Sequence, residues 1–237
     1  MSVIQTTVNG NLVWYDGAYP HRWLDALGPN VVKFIENFQQ FPIQAANAPA
    51  WGLATLVNAS TLAPVAGADG GALLITTAGA ENDGANIQVY GEAFSFASAW
   101  PTYFGIRCKM SEEVQSDLLA GLCITDTDLL GGMTDGLYFR KVDASANVAL
   151  VLEKNSAETE IANLHTSVDD TWLVLEFTYD GSYVSAYVDG AKVAQVAAEN
   201  ANFPNDEYLT PSLQFLTGAV AAYTCTVDWI RAIQIQA

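Results

Sequence analysis

The sequence predicts an all-β protein in which two antiparallel sheets pack face to face as a sandwich. Short runs of alternating apolar and polar residues recur along the chain, and turns rich in Gly, Asp and Asn separate them. Hardly any segment shows the 3.6-residue periodicity of a helix. Of the 237 residues, 51% are hydrophobic and 11% aromatic, which is enough apolar surface for one large core. These observations predict about a dozen strands in one sandwich.

The clearest element is the stretch TYDGSYVSAYVDGAKVAQV at 178–196. Its two Asp-Gly pairs, Asp180-Gly181 and Asp189-Gly190, supply the positive-φ positions of tight type I′ turns. An antiparallel meander is therefore predicted, with strands at 172–179, 182–188 and 191–197. Side chains alternate across a strand, so one face of the first strand is apolar and the other is mixed.

The chain divides into an N-terminal arm or small subdomain, residues 1–35, and the β-sandwich, residues 36–237. In the arm, NLVWYD and VVKFIENF predict two short strands with PHRWLDALGPN between them. Four aromatic residues of the arm, Trp14, Tyr15, Tyr19 and Trp23, are of the kind that anchors protein interfaces. They either bind a partner or cover one open end of the sandwich, and both interpretations stay open.

Charge and cysteine content exclude several classes of function. With 26 acidic and 9 basic residues the net charge is -17, which disfavours nucleic acid and anionic lipid as partners. No long apolar segment or leader is found, so a soluble protein made in the cytoplasm is expected. The cysteines Cys108, Cys123 and Cys225 lie in apolar stretches and are predicted to be buried thiols.

No motif for catalysis is found. Glycosidases of the two-carboxylate type need a close acidic pair, and an ExDxE strand would supply one, but the sequence lacks it. The nearest approaches are Glu158 with Glu160, interpreted as a solvated strand edge, and Asp126 with Asp128. There is no GxSxG, P-loop or GxGxxG. The sequence thus predicts no enzyme, no catalytic residues and no cofactor.

The stretch TDTDLLGGMTDG brings three aspartates, Asp126, Asp128 and Asp135, near one loop. Calcium prefers several oxygen ligands of this kind, although the spacing is not that of an EF-hand. Aspartates in loops usually cap turns. The three residues are weak candidates for a calcium site.

Several motifs together resemble the concanavalin A-like jelly-roll domains of structural proteins in tailed bacteriophage virions. From about residue 34 onwards the similar elements are DGGALLITTAGAENDGANIQVYGEAFSF, TYFGIRCKM, GLCITDTDL, the YVDG hairpin and the closing strand TVDWIRAIQI. The resemblance implies a concanavalin A-like jelly roll and a capsid decoration, or cement, protein. Such a protein would bind the major capsid protein on the outer surface of the virion as a homo-oligomer, most plausibly a trimer.

Two other functions remain as alternatives. A glycan-binding module of a tail or head fibre would use exposed aromatic side chains, with Trp100 and Tyr138 as candidates. A degraded or unusual glycoside hydrolase would need a close carboxylate pair, for which Asp126 and Asp128 are poor candidates. Fold does not decide among these functions, because this type of sandwich hosts many activities.

Overall fold

The computed structural model describes residues 2–39, 49 and 52–236. They form nineteen β-strands arranged in one small and two large antiparallel sheets, and no helix. Within these residues no helix is long and apolar enough to cross a membrane. The predicted all-β sandwich is thereby confirmed.

Sheet I has eight strands. Seven follow one another in the spatial order β17 (Ala191–Ala197), β16 (Tyr183–Val188), β15 (Leu173–Tyr179), β10 (Thr102–Met110), β19 (Thr224–Ile235), β7 (Leu73–Thr76) and β6 (Thr61–Pro64). The eighth, β4 (Val31–Glu36), also pairs with β19. The long closing strand is therefore central in this sheet.

Sheet II also has eight strands. Its spatial order is β14 (Ala157–Thr166), β13 (Asn147–Lys154), β12 (Gly136–Lys141), β11 (Ser116–Cys123), β18 (Tyr208–Thr217), β8 (Gly84–Val89) and β5 (Gly52–Leu56). The short β9 (Phe94–Ser95) pairs with the start of β18. The two edges of sheet II are thus β14 and β5.

The core lies between the two sheets and follows the two-residue alternation of the strands. On β10, Phe104 and Ile106 point inward and are fully buried, whereas Arg107 between core positions is only half-buried. Phe139 of sheet II and Phe177 of sheet I meet across the core with ring centroids 6.2 Å apart. Burying each such side chain contributes about 1.5 to 3 kcal/mol. All three cysteines are buried and unpaired.

The first strands form a separate three-stranded N-terminal sheet, made of β1 (Val3–Val8), β2 (Asn11–Asp16) and β3 (Tyr19–Leu27). It packs on the outer face of sheet I, where Val13 and Ala26 contact Ile233 and Ile235. The segment PHRWLDAL, predicted as a connection, is strand β3. The alternation of apolar and polar residues that predicts a strand is interrupted here, because the polar residues His21 and Arg22 contact sheet I, where apolar residues would be expected.

Strand β4, which contains residue 35, lies in sheet I and pairs along its whole length with β19. Phe38, two residues beyond it, belongs to the main core. The division into residues 1–35 and 36–237 stays a prediction, but the strand at that boundary belongs to the sandwich.

The predicted meander is confirmed as β15, β16 and β17, with bounds that agree to about one residue. Asp189 and Gly190 both have positive φ, 49° and 84°, as a type I′ turn requires. The first turn is different. Only Gly181 has a positive φ there, because the Asp180 carboxylate accepts the backbone N–H groups of Ser182 and Tyr183 and fixes the turn instead.

Candidate functional site

The N-terminal sheet covers part of the outer face of sheet I, and a buried carboxylate lies at the contact. Glu176 is fully buried and accepts two hydrogen bonds of 2.7 Å from Arg22. The Tyr103 hydroxyl donates to it at 2.8 Å, and His21 lies 3.2 Å away. Although burial raises the pKa of Glu176, the hydrogen bonds from Arg22 and His21 lower it below its usual value. This cluster joins the N-terminal sheet to sheet I, and both oxygens of Glu176 have partners within it.

The four aromatic residues predicted to bind a partner all lie in the N-terminal sheet. Trp23 stacks on Tyr103 of sheet I with ring centroids 6.4 Å apart, and the Arg22 guanidinium lies 4.5 Å from the Tyr19 ring. Trp14 and Tyr15 are half-buried on β2. Trp23 thus takes part in the contact between the sheets, and partner binding by these residues stays a prediction.

The outer face of sheet II is crossed by residues 124–135, which connect β11 to β12 and are called here the crossing loop. Leu129 and Met133 of this loop are buried against the sheet. They pack on Leu119, Cys123, Tyr138 and Val151 in a second, smaller apolar cluster. The loop therefore covers the middle of the face and leaves the two sides open.

Side-chain amides on β8 and β18 hold the crossing loop in place. Gln88 donates to the carbonyl of Ile124 and accepts the N–H of Asp126, both at 2.9 Å. Gln214 accepts the N–H of Leu130 at 2.8 Å. These amides face outward through the strand alternation, and they satisfy backbone groups of a segment that has no strand partner of its own.

A groove lies between the crossing loop and the edge strand β5, and it is called here the edge groove. It has a volume of about 390 Å³. Its lining consists of Leu53, Ala54, Thr55, Asn86, Gln88, Thr125, Asp126 and Thr127. A second hollow of about 420 Å³ continues past Thr127 toward Asp128 and Gln214. Together they form a track along one side of sheet II.

Asn86 is the most informative residue of the edge groove. It is 4% exposed, and its Nδ2 donates to the carbonyl of Asp126 at 2.7 Å. Its Oδ1 has no hydrogen-bond partner among the described residues. Buried polar atoms are paired in the great majority of cases, and an unpaired acceptor costs about 1 to 3 kcal/mol. A ligand with a hydrogen-bond donor would remove this cost.

Exposed apolar side chains flank the groove. Leu53, directly opposite Gln88 on β5, is 43% exposed. Tyr90 lies two residues beyond Gln88 and is 54% exposed, and Tyr208, at the start of the neighbouring strand β18, is 58% exposed. Tyr90 is the first residue after β8, in a bend. Leu53 thus gives the polar groove an apolar surface, and two exposed tyrosines lie near the ends of the strands β8 and β18.

On the other side of the crossing loop a cluster of charged residues joins β12, β13 and β14. The Tyr138 hydroxyl donates to Glu153 at 2.7 Å and lies 3.4 Å from Glu158. Arg140 binds Glu158 through two hydrogen bonds of 2.7 and 2.8 Å and Glu160 through one of 2.6 Å. Glu153 and Glu158 are directly opposite each other in the ladder. Two carboxylates therefore share one hydroxyl on this face.

The two carboxylates have different environments. Glu153 is 6% exposed, and burial raises its pKa. Glu158 belongs to the edge strand and is held by Arg140. Burial would lower the pKa of Arg140, but Glu158 and Glu160 raise it, so the guanidinium stays charged. A buried carboxyl whose pKa is raised, next to a second carboxyl on the neighbouring strand, is an arrangement that acid–base chemistry uses.

The remaining sequence candidates have structural contacts of their own. Asp126 accepts the N–H of Asp128, and Asp128 accepts from the Gln214 amide. Asp135 accepts from Thr134 and from the N–H of Asn155. Within the described part of the chain, no three acidic, His or Cys side chains are grouped to hold a metal ion. Calcium binding stays a prediction.

Tyr138 and Trp100 had been candidates for sugar contacts. Tyr138 is 2% exposed beneath the crossing loop, so its ring cannot stack on a sugar, contrary to the prediction. Trp100 is half-buried, just ahead of β10.

Comparisons with known proteins show the fold and no family. No protein-family model matches the chain, and no curated protein matches its sequence. An endo-1,3-beta-glucanase from Streptomyces sioyaensis matches in structure with a TM-score of 0.61 at 13% identity, over 90% of this chain and 99% of that one. A protein of unknown function from Shewanella oneidensis MR-1 matches with a TM-score of 0.58 at 16% identity, over 86% and 87%.

A carbohydrate esterase from the Shiga toxin-encoding bacteriophage phi24B also matches, with a TM-score of 0.52 at 14% identity, over 87% of this chain and 98% of that one. The chain is a jelly-roll β-sandwich of the concanavalin A-like type. At such identities the likeness concerns the fold alone.

The prediction that the chain is not an enzyme is contradicted by these comparisons. Glucanases and a fungal glucuronan lyase share its fold. The motif ExDxE would place its acidic residues on a single strand. The structure instead brings Glu153 and Glu158 together from neighbouring strands, so the absence of that motif excludes nothing.

The residues of the edge groove were missed by sequence analysis. Asn86, Gln88 and Gln214 have the spacing of ordinary outward-facing strand residues in NIQV and LQF. The signal that could have found them is an amide at each of these positions in strands that are otherwise apolar.

Proposed function

We propose that this chain is a glycan-binding β-sandwich that holds a saccharide in the edge groove of sheet II. The observation that carries the proposal is the buried, unpaired Oδ1 of Asn86 in the lining of a groove that also presents threonine hydroxyls and the exposed side chain of Leu53. Saccharides combine hydroxyl donors with apolar ring faces, and this groove offers both matching surfaces.

Support also comes from the proteins that share the fold. The printed names of several describe action on carbohydrates: a glucanase, a glucuronan lyase and a carbohydrate esterase. A groove along the outer face of one sheet suits a chain-like ligand, because the edge groove and the hollow beyond Thr127 continue one another.

The test is a binding measurement with three forms of the protein. A glycan array identifies ligands of the wild type, and calorimetry compares them with Asn86→Ala and with Thr55→Trp. Thr55 lines the groove opposite Asn86 without holding the crossing loop, so a Trp there blocks the groove and leaves the loop contacts intact. Both variants lose at least tenfold in affinity.

Gln195→Ala is the matched control, because Gln195 is an exposed amide residue on β17 at the edge of sheet I. It leaves the affinity unchanged. Glycan binding that persists in Thr55→Trp would contradict the proposal, and so would an array on which the wild type binds nothing.

A second candidate function is glycan cleavage on the other side of the crossing loop. It is favoured by Glu153 and Glu158, which both lie within reach of the Tyr138 hydroxyl. Glycoside hydrolysis uses such a pair, one member as acid and the other as base or nucleophile. Release of reducing ends from a bound polysaccharide, abolished in Glu153→Gln and retained in Glu207→Gln, would support it.

The setting we propose is the surface of a bacteriophage particle, as a capsid decoration protein or a fibre module. Support comes from the resemblance of its sequence motifs to those of phage structural proteins and from the fold shared with a phage-encoded esterase. Quantitative mass spectrometry of purified particles tests it. Hundreds of copies per particle indicate decoration, a handful indicate a fibre, and none contradicts this setting.

A further inference from the structure

The charge of the edge groove restricts the ligands that it can take. Asp126 lines the groove, and Asp128 lines the hollow that continues it. Glu92 approaches the same loop, where its Oε1 accepts the N–H of Thr125 at 2.6 Å. No Lys, Arg or His occurs among the described residues that line these two hollows.

The hydrogen-bonding groups of the groove point to the same restriction. The Nδ2 of Asn86 is already engaged by the crossing loop, and so is the Nε2 of Gln88, which donates to Ile124 and Ser212. The Oδ1 of Asn86, an acceptor, is buried and has no partner among the described residues. The groove therefore offers a ligand the hydroxyls of its threonines and negative charge, with no basic group to balance that charge.

We propose that the edge groove selects uncharged and cationic saccharides, with amino sugars bound best, and rejects glycans that carry carboxylate, sulfate or phosphate groups. This inference rests on the proposed glycan binding. An anionic group in the groove would face Asp126 without a basic partner, and a chain of net charge -17 would repel its approach. An ammonium group instead gains from the carboxylates of Asp126 and Asp128 that line the two hollows.

Four hexasaccharides test the selection by calorimetry at low salt: deacetylated chitosan hexamer, acetylated chitohexaose, cellohexaose and hexagalacturonate. The cationic hexamer binds tightest, and the anionic one binds at least tenfold more weakly than either neutral one. Raising the salt to 0.5 M reduces the advantage of the cationic hexamer, because screening weakens exposed charge interactions.

The variant Asp126→Asn removes the groove charge and keeps the oxygen that accepts the Asp128 N–H. It reduces the ratio of the affinity for the cationic hexamer to that for the neutral hexamers at least threefold. Glu199→Gln, an exposed carboxylate change on the sheet I side, is the control and leaves the preference intact.

The outcomes separate this inference from the proposed function. Hexagalacturonate binding that equals the neutral hexamers, and that Thr55→Trp abolishes, overturns the selection while glycan binding in the groove stands. A preference for the cationic hexamer that Thr55→Trp does not affect shows adhesion to the acidic surface and also overturns it. If no saccharide binds the wild type, both fail.

Discussion

The outer faces of the two sheets carry similar polar side chains but differ in the segments that cover them. Each carries polar side chains between core positions, Glu176 and Tyr103 on sheet I and Asn86 and Gln88 on sheet II. On sheet I the N-terminal sheet covers the part of the face around Glu176, and both oxygens of Glu176 have partners. On sheet II a single loop crosses the face, and an acceptor of Asn86 stays unpaired beside a groove. The same pattern thus makes an interface where it is covered and a binding surface where it is open.

The largest expected effect is on the covered face. Replacing Glu176 with Ala leaves the Arg22 guanidinium buried without its carboxylate, and the Tyr103 hydroxyl loses its acceptor. Breaking a buried pair in this way costs about 3 to 5 kcal/mol of unfolding free energy. Urea unfolding monitored by tryptophan fluorescence measures the loss. A loss below about 1 kcal/mol would mean that the covered face is not a sealed interface.

A third region, at the end of the sandwich, extends the comparison of the two faces. It holds a buried carboxyl group of which one oxygen has no hydrogen-bond partner among the described residues. Glu113 is 3% exposed, its Oε2 has no partner among the described residues, and burial raises its pKa to about 7. The pKa of Glu113 in the folded protein exceeds the unfolded value of 4.5. The protonated carboxyl therefore contributes to the unfolding free energy at low pH, and this contribution is lost as the pH rises through 7.

For the wild type, Glu113 therefore lowers the unfolding free energy by about 2 kcal/mol between pH 5 and pH 8. Glu113→Gln does not titrate and lacks this decline. Denaturant unfolding of both proteins across that pH range measures the difference. Parallel pH profiles would show that the carboxyl is ionised in the folded protein without cost.

A smaller effect is expected at the rim of the open face. Tyr90→Ala removes an exposed ring beside the edge groove and weakens glycan binding about five- to tenfold, since aromatic contacts contribute about 1 kcal/mol. Stability changes little. Tyr183→Ala is the matched control, because Tyr183 is 47% exposed on sheet I. Equal losses in the two variants would remove the distinction between the faces.

The smallest effect is expected where an ion pair is open to solvent. The Nζ of Lys33 lies 2.6 Å from the Oδ1 of Asp25, and the two side chains are 36% and 47% exposed. Asp25→Asn costs less than about 1 kcal/mol, because exposed pairs are solvated and screened. Urea unfolding of Asp25→Asn and of Glu176→Ala under the same conditions checks the difference between the exposed and the buried ion pair. A cost as large as that of Glu176→Ala would show that burial does not set the difference.

The fold could be predicted from local patterns, and the site could not. Alternation and the Asp189-Gly190 turn predict strands because each depends on neighbouring residues. The groove depends on contacts far apart in the chain, such as that of Asn86 with Asp126. The same holds for Glu176, whose partner Arg22 lies in a segment predicted to be a connection. Long-range pairing of polar groups leaves little trace in a local pattern.

The position of β19 has a consequence for how the protein is made. Residues 224–235 form the central strand of sheet I, bonded to β10 on one side and to β4 and β7 on the other. The N-terminal sheet in turn packs on its Ile233 and Ile235. Neither sheet I nor its contact with the N-terminal sheet can be completed while residues 224–235 are still inside the ribosome. The strands β4 and β7 therefore pair with β19 only after residues 224–235 have left the ribosome, although both are synthesised well before it.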